Sequence, residues 1–280
     1  MIADLHLHTR LSPDAEQGAA NNIAAYREKA RDLGLSYICI TEHCDILPDD
    51  GSGAYVNADF AAYAAEMQAE QRRALAEARS AVRVLYGIEL AHAHTHPEEA
   101  ARVLAGAPYD FVLGSLHVSA DGTDYWGLDY AAYSDEALLA MFRAYVGELY
   151  EIADKSDFDS LAHCTYPLRY FAKNRRLDAL CAEPSAFVPQ YEAVFRRLIE
   201  RGKVLEINTS DAAQGGRFSP GKDLLRLYRS LGGRLVTVGS DAHTAENLGA
   251  GVDKAEKLLR ELGFEGVCVF VGRVARILPF

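Results

Sequence analysis

Several shortages in this 280-residue chain each remove a class of protein. No apolar run approaches the roughly eighteen residues that a membrane-spanning helix needs, so no membrane association is expected. The five cysteines, Cys39, Cys44, Cys164, Cys181 and Cys268, are odd in number and contain no Cys-x-x-Cys pair. A disulfide framework or a zinc ribbon is therefore not expected. Basic residues are outnumbered, 29 Lys plus Arg against 40 Asp plus Glu, for a net charge of -11. That argues against a long nucleic acid as partner, because backbone phosphates are held by clustered Lys and Arg. A small anionic substrate is not excluded, since bound divalent ions would make a site locally positive. The N-terminus lacks a basic stretch ahead of a long apolar one, and a ligand-like residue already stands at His6. This leaves no room for a cleaved leader and points to a cytoplasmic location. Low-complexity tracts and linkers are missing too, so one domain over residues 1–280 is expected.

What is present reads as an ordinary soluble domain, 49% hydrophobic and 25% charged. Strand-like apolar runs recur at Ile2 to His8, Tyr37 to Thr41, Val82 to Leu90, Asp110 to Leu116, Asp159 to His163, Val204 to Asn208 and Leu235 to Gly239. Helical stripes separate them: Ile23, Tyr26, Ala30 and Leu33; Leu138, Phe142, Tyr145, Leu149 and Ile152; Tyr191, Val194 and Leu198; Leu224, Leu227 and Leu231. Gly34, Gly106, Gly202, Gly232 and Gly263 stand where helices should stop, in the left-handed conformation. Seven βα units fit either a doubly wound sheet or a barrel. Val267 to Val271 reads as an extra strand or a closing hairpin.

The polar residues decide between the two. In Asp4-Leu5-His6-Leu7-His8 the alternation puts Asp4, His6 and His8 on one face and both leucines on the other. Facing a barrel interior, unpaired imidazoles would cost roughly 2 to 7 kcal/mol each, which a cation would remove. Taken alone, the pair also fits an exposed half-strand with solvated histidines. But nearly every later strand end carries a similar residue: Asp14, His43, Glu89, His117, His163, Asp241 and His243. An open sheet gathers its functional groups at one switch point, whereas a barrel gathers them around its carboxyl rim. Six imidazoles and three carboxylates suit Zn, Mn or Fe better than Ca or a thiolate-type zinc site.

The ordered strings His6-Leu7-His8, Thr41-Glu42-His43, Gly87-Ile88-Glu89, Gly114-Ser115-Leu116-His117, Ala162-His163 and Gly239-Ser240-Asp241-Ala242-His243 resemble the polymerase and histidinol phosphatase (PHP) superfamily across the whole chain. Within it, the chain is most similar to stand-alone bacterial histidinol-phosphatases. The resemblance implies a distorted (β/α)7 TIM-like barrel, an α/β fold with three divalent metal ions. It implies that His6, His8, Glu89 and Asp241 hold one metal, that Glu89 bridges to a second held with His117 and His163, and that Asp14, His43 and His243 hold the third. Some relatives carry histidine where Asp14 stands. The implied reaction is hydrolysis of L-histidinol phosphate to L-histidinol and phosphate in histidine biosynthesis, by attack of a metal-bridging hydroxide, with Glu89, Asp241 and His243 as the catalytic set.

Asp4, Glu42 and Glu206 are carboxylates that could accept the second ring N–H of a ligand imidazole, or else form ordinary ion pairs. Specificity should lie in the long loops Cys44 to Asp59, Val118 to Ser134, Cys164 to Pro184 and Thr209 to Lys222. Arg169 and Arg217 are candidate phosphate-binding residues there, with solvated loop arginines as the alternative. Tyr125, Trp126, Asp129 and Tyr130 could meet the imidazole and ammonium of the substrate. His92, His94 and His96 precede Pro97, which opens a helix, and read as a loop rather than a further metal site. Cys164 reads as an inert buried thiol.

Two other readings stay open. One is a phosphoesterase acting on nucleotides or short oligonucleotides; such relatives often carry an insertion after the Gly-Ile-Glu strand, where only Leu90 to Pro108 stands here. The other is a non-catalytic metal-binding PHP module, which would be expected to have lost ligands, whereas all nine positions are kept.

Overall fold

The computed structural model describes residues 3–48, 54–56, 59–76, 82–182, 184–213 and 216–280. In chain order the elements are β1 (Ala3–Asp4), α1 (Ile23–Asp32), β2 (Tyr37–Ile40), β3 (His43–Pro48), β4 (Ala54–Val56), α2 (Phe60–Ala76), β5 (Arg83–Ala91), α3 (Pro97–Ala105), β6 (Phe111–Ser115), α4 (Asp135–Lys155), β7 (Ser160–Leu161), α5 (Tyr166–Lys173), α6 (Asp178–Ala182), α7 (Val188–Glu200), β8 (Val204–Asn208), α8 (Ser210–Ala213), α9 (Lys222–Ser230), β9 (Val236–Gly239), α10 (Val252–Glu261), β10 (Gly266–Val271) and β11 (Val274–Pro279).

Seven parallel strands follow one another in the order β1, β2, β5, β6, β7, β8, β9. The ring closes beyond β1, where the Leu5 N–H donates to Val238 O at 2.9 Å and the Asp241 N–H to His6 O at 2.8 Å. The expected strand from Ile2 to His8 is thus shared between two partners: Ala3 and Asp4 pair with β2, and Leu7 bridges to Ala242 beyond β9. Ile2 lies outside the described residues. The architecture is a distorted α/β barrel of seven parallel units with its helices outside.

Strand β3 continues β2 after a break at Thr41 and Glu42. Ile40 pairs with Tyr86 and His43 with Glu89, so the register against β5 is unchanged across the break. This in-register continuation puts an imidazole beside a carboxylate on neighbouring strands. The first helix starts where Asn22 accepts from the Ala25 N–H at 3.0 Å, and the longest described helix, α4, where Ser134 accepts from Ala137. The apolar faces of Tyr26, Leu138, Phe142, Tyr145, Leu149, Tyr191, Val194 and Leu198 are buried against the strands and one another, as the stripes predict. On α9 the buried face is instead Leu224, Leu225 and Tyr228, while Leu227 and Leu231 are only partly covered.

Gly34, Gly202, Gly232 and Gly263 have φ between +65° and +102°. Gly106 departs from the expectation: it ends α3 at φ -75°, bonded to Val103 O, and needs no left-handed residue. One expected loop is largely helical, since Cys164 to Pro184 contains α5 and α6, and Thr209 to Lys222 holds the single short turn of α8. Part of the Cys44 to Asp59 loop, and Gly215, lie outside the described residues.

Val267 to Val271 forms one arm of an antiparallel hairpin with β11. The hairpin turn reaches the amino ends of β6 and β7, where the Gly272 N–H donates to Asp110 at 2.8 Å and Arg273 pairs with Asp157 and Asp159. Phe270 stacks on Phe111 at 5.3 Å. The hairpin therefore plugs the end of the barrel opposite the histidines. No described helix is long and apolar enough to cross a membrane.

Candidate metal centre

The carboxyl rim gathers all nine predicted ligands around Glu89, which β5 carries into the centre of the ring. Glu89 Oε2 lies 3.3 Å from His6 Nε2, 3.5 Å from His8 Nε2 and 2.8 Å from His43 Nδ1. Its other oxygen, Oε1, lies 2.8 Å from His163 Nε2 and 3.2 Å from His117 Nε2. Asp241 Oδ1 stands 3.7 Å from His6 Nε2 and 3.4 Å from His8 Nε2. At the outer edge, Asp14 Oδ2 is 3.3 Å from His43 Nε2 and 3.1 Å from His243 Nε2.

Local backbone geometry aims these groups. Asp241 sits at φ +55°, a left-handed conformation that Asp tolerates better than most residues. Just before it, a Cβ on Gly239 would come within 2.3 Å of the His6 Cβ and 2.6 Å of Glu206 Oε1. Only glycine lets the end of β9 approach the first histidine strand so closely.

Four imidazoles are oriented through Nδ1, leaving Nε2 turned to the centre. His6 Nδ1 meets Glu206 at 2.7 Å, His8 Nδ1 meets Ser12 Oγ at 3.2 Å, and His117 Nδ1 meets Asp45 at 3.1 Å. The His243 Nδ1–H donates to Asp241 O at 2.9 Å. With the proton on Nδ1, the Nε2 lone pair is free to bind a cation. The two rings of His8 and His43 stack face to face at 4.0 Å, packing these candidate ligands tightly.

The three carboxylates expected beside imidazoles divide. Glu206 partners His6 directly and also accepts the His163 N–H at 2.8 Å. Glu42 acts at one remove: it accepts from Ser12 Oγ at 2.6 Å and from Thr9, and Ser12 in turn holds His8. Asp4 meets no imidazole. It accepts the Ser240 and Gly249 N–H groups, each at 2.8 Å, and so fixes the backbone that carries Asp241.

Charge in this enclosure is finely opposed. Burial works against the charged forms of Glu89 and Asp241, but the surrounding histidines outweigh it and hold both carboxyls well below the ordinary range. Burial likewise disfavours charge on His6 and His43, yet the carboxylates, Glu89 foremost, hold both well above the ordinary imidazole value. For His117, Glu89 and Asp45 outweigh burial and push the pKa up to about 10. His8, buried and flanked by His43 and His243, is held well below. Without a cation, the carboxylates are balanced by protons on the neighbouring imidazoles and, at Asp241, also by Arg169.

The atoms themselves fit a metal. His6 Nε2, His8 Nε2, both ring nitrogens of His43 and Glu89 Oε2 are buried and make no hydrogen bond within the described residues. His6 Nε2, His8 Nε2 and His43 Nδ1 nevertheless crowd around Glu89 Oε2 and Asp241 Oδ1 at 2.8 to 3.7 Å. Donors about 2.1 Å from a divalent ion stand roughly 3 to 3.5 Å apart, so these separations suit a nitrogen and oxygen shell. Four overlapping triplets have donor atoms within 4.8 Å of one another: His6–His8–Asp241, His6–Glu89–His163, His8–His43–His243 and His43–Asp45–His117.

Asp45 escaped the sequence reading. Its signal was the alternation His43-x-Asp45, which mirrors His6-x-His8 on the first strand. Ser12, Asn208 and Ser210 were also missed; Asn208 and Ser210 contact Arg169.

Above the rim is a cleft of about 400 Å³, lined among others by Asp14, His117, Asp124, Trp126, Tyr166, Arg169 and Tyr170. Arg169, on the first turns of α5, stands 3.7 Å from Asp241 Oδ2 and against the Tyr166 ring. Arg217 lines a smaller adjoining recess instead, where its guanidinium donates to Cys181 O at 2.8 Å. His92 and His94 support the neighbouring loop rather than the rim: His92 Nε2 donates to Val118 O at 2.7 Å, and His94 pairs with Glu148. Cys164 is fully buried, and burial pushes its thiol pKa up, as suits an inert side chain.

Comparison with known proteins adds family context. The family model described as "PHP domain" matches residues 4–210. A protein of Lactococcus lactis subsp. lactis named "Histidinol-phosphatase" is 27% identical over 96% of this chain and 94% of its own length. A "Probable histidinol-phosphatase" of Thermotoga maritima is 27% identical over 96% of this chain and 95% of its own. Among solved structures, histidinol phosphate phosphatase from Lactococcus lactis, complexed with zinc, L-histidinol and phosphate, superposes with a TM-score of 0.75 at 24% identity, covering 98% of each chain. A putative histidinol phosphatase from Listeria monocytogenes gives 0.72 at 16% identity, over 90% of this chain and 99% of that one. These two structures match the barrel along nearly its whole length.

Proposed function

This chain belongs to the PHP family, and from that premise we propose that it is a metal-dependent phosphomonoesterase that hydrolyses L-histidinol phosphate to L-histidinol and phosphate. The single observation that carries the reaction class is the convergence of five imidazoles on Glu89, three of which, His6, His8 and His43, face it with buried ring nitrogens that make no hydrogen bond among the described residues. The substrate rests on the relatives, which are named as histidinol-phosphatases and which this chain matches over most of its length.

His6, His8, Asp14, His43, Glu89, His117, His163, Asp241 and His243 would hold up to three divalent ions, Zn, Mn or Fe by donor type. When bound, such ions acidify a water for in-line attack and neutralise the charge that spreads over the phosphoryl oxygens. The protein's own share is arrangement. Glu206, Asp45, Ser12 and the Asp241 carbonyl hold the imidazoles in the tautomer that ligation needs. Arg169, whose charge is supported by Asp241 against the cost of burial, is placed to donate to a non-bridging phosphate oxygen. Arg217 would act from the adjoining recess by shaping the segment behind Arg169 rather than by reaching phosphate. Soluble cytoplasmic residence of a single-domain enzyme over residues 1–280 is part of the same proposal.

A panel of phosphate esters presented to the metal-reconstituted protein separates the readings. Preference for L-histidinol phosphate over nucleoside monophosphates and short oligonucleotides supports the proposal; the reverse preference replaces it with a nucleotide phosphoesterase. Full metal loading with no turnover of any ester would leave a metal-binding module.

A further inference from the structure

The cleft over the rim is lined by two chemically different groups of side chains: Arg169, Tyr166 and Tyr170 from α5, and Asp124 and Trp126 from the loop after β6. Trp126 is the single tryptophan of the chain, and it is 74% exposed. The aromatic residues expected beside it point elsewhere: Tyr125 is buried with its hydroxyl on Met141 O, and Tyr130 is buried with its hydroxyl on Tyr125 O. Asp129 caps a short 3-10 turn, Tyr130–Ala132, through the Ala131 N–H.

The exposure of Trp126 is not that of a slack loop tip. Val118 bridges to Asp124, the Ser119 N–H donates to Thr123 O at 2.9 Å, and Gly122 takes φ +87° to close the turn. Asp124 Oδ1 accepts the Trp126 N–H at 2.9 Å. A Cβ on Gly127 would stand 3.0 Å from Asp124 Oδ2, a tight contact, so glycine here leaves the carboxylate its position against the turn. Behind the loop, His92 holds Val118 O, and Glu148 accepts the Ala120 N–H at 2.9 Å while pairing with His94. A backbone tied at this many points keeps a large aromatic face in water at the mouth of a polar cleft. That leaves the indole face available to a ligand bound in the cleft.

We propose that Trp126 and Asp124 form the recognition end for the alcohol part of the ester: a planar heteroaromatic or cationic ring stacks on Trp126, and an ammonium group pairs with Asp124. The phosphate then lies toward Arg169 and the rim. This deepens the phosphomonoesterase reading and rests on it. An indole face attracts cations and flat rings, and a carboxylate beside it selects an amine over a neutral hydroxyl.

Because Trp126 is the sole tryptophan, its fluorescence reports the site without any turnover. Titrating L-histidinol into the metal-loaded protein should give a saturable change in intensity or emission wavelength; a flat titration overturns the proposal. In kinetics, the ratio of kcat/KM for L-histidinol phosphate to that for glycerol phosphate should fall about tenfold in Trp126→Ala and in Asp124→Asn, the size of one such contact. Trp126→Phe, which keeps a ring, should recover most of the ratio. An unchanged ratio in both variants, with wild-type protein active on L-histidinol phosphate, overturns the assignment while leaving the phosphomonoesterase reading intact. Wild-type protein inactive on both esters would instead remove that reading and this inference with it.

Discussion

Glu89 and His43 are neighbours by strand register, paired across β5 and β3, and the pairing brings Glu89 Oε2 to 2.8 Å from His43 Nδ1. The same carboxylate reaches His6 and His8 through this oxygen, and His117 and His163 through the other. Removing its charge therefore disturbs the whole rim. Glu89→Gln should lower both bound metal and phosphatase activity by more than about 100-fold, since changes to partners one step further out already cost about 10- to 100-fold. Metal content by mass spectrometry alongside initial rates checks this; wild-type occupancy with wild-type rate would refute the sharing.

Asp45 should matter nearly as much as some predicted ligands. It fixes Nδ1 of His117, and its own carboxyl is held below the ordinary range by His117 against burial. Asp45→Ala is expected to lower activity about 10- to 100-fold, with part of the loss recovered at high metal concentration. A loss that no metal concentration moves would point to a structural role instead.

Metal binding should release protons. In the metal-free protein the pKa of His6 and His43 lies well above the ordinary value and that of His117 at about 10, so these rings carry protons at neutral pH. A ligating imidazole must be neutral, so metal displaces those protons. Apparent affinity should thus weaken as pH falls, by about tenfold per pH unit for each proton released. Calorimetry in buffers of different ionisation enthalpy measures the number released; zero at pH 7 contradicts the charge balance described above.

Arg169 is placed for ground-state contact with phosphate. Arg169→Ala should raise KM by about tenfold or more with a smaller effect on kcat, the scale of one charged hydrogen bond. Unchanged kinetics would make Arg169 only a brace for Ser210 and Asn208, which it also contacts.

Much of this arrangement was legible in the sequence because strand alternation and strand ends are local signals. The His6-x-His8 spacing, the apolar runs and the stripes on α1, α4 and α7 need only near neighbours to be read. What stayed hidden depends on contacts distant in sequence. Asp45 acquires meaning from His117, 72 positions away, and Asp4 from backbone amides 236 and 245 positions on. Arg169 and Arg217 looked alike as loop arginines, but α5 turns one over the rim while the other is drawn to the Cys181 carbonyl. The long segment after Cys164 hid two helices because Pro167 at the start of α5 reads equally as a loop residue. The β10–β11 hairpin could not be placed from sequence, since its anchors, Asp110, Asp157 and Asp159, lie far upstream.

The most direct measurement is phosphate release from L-histidinol phosphate by protein stripped with a chelator and then reloaded separately with Zn, Mn or Fe. The account predicts no turnover after stripping, recovery with at least one metal, and one phosphate released for each L-histidinol formed. Full turnover by the stripped protein, or none with every metal although the rim is loaded, would contradict it.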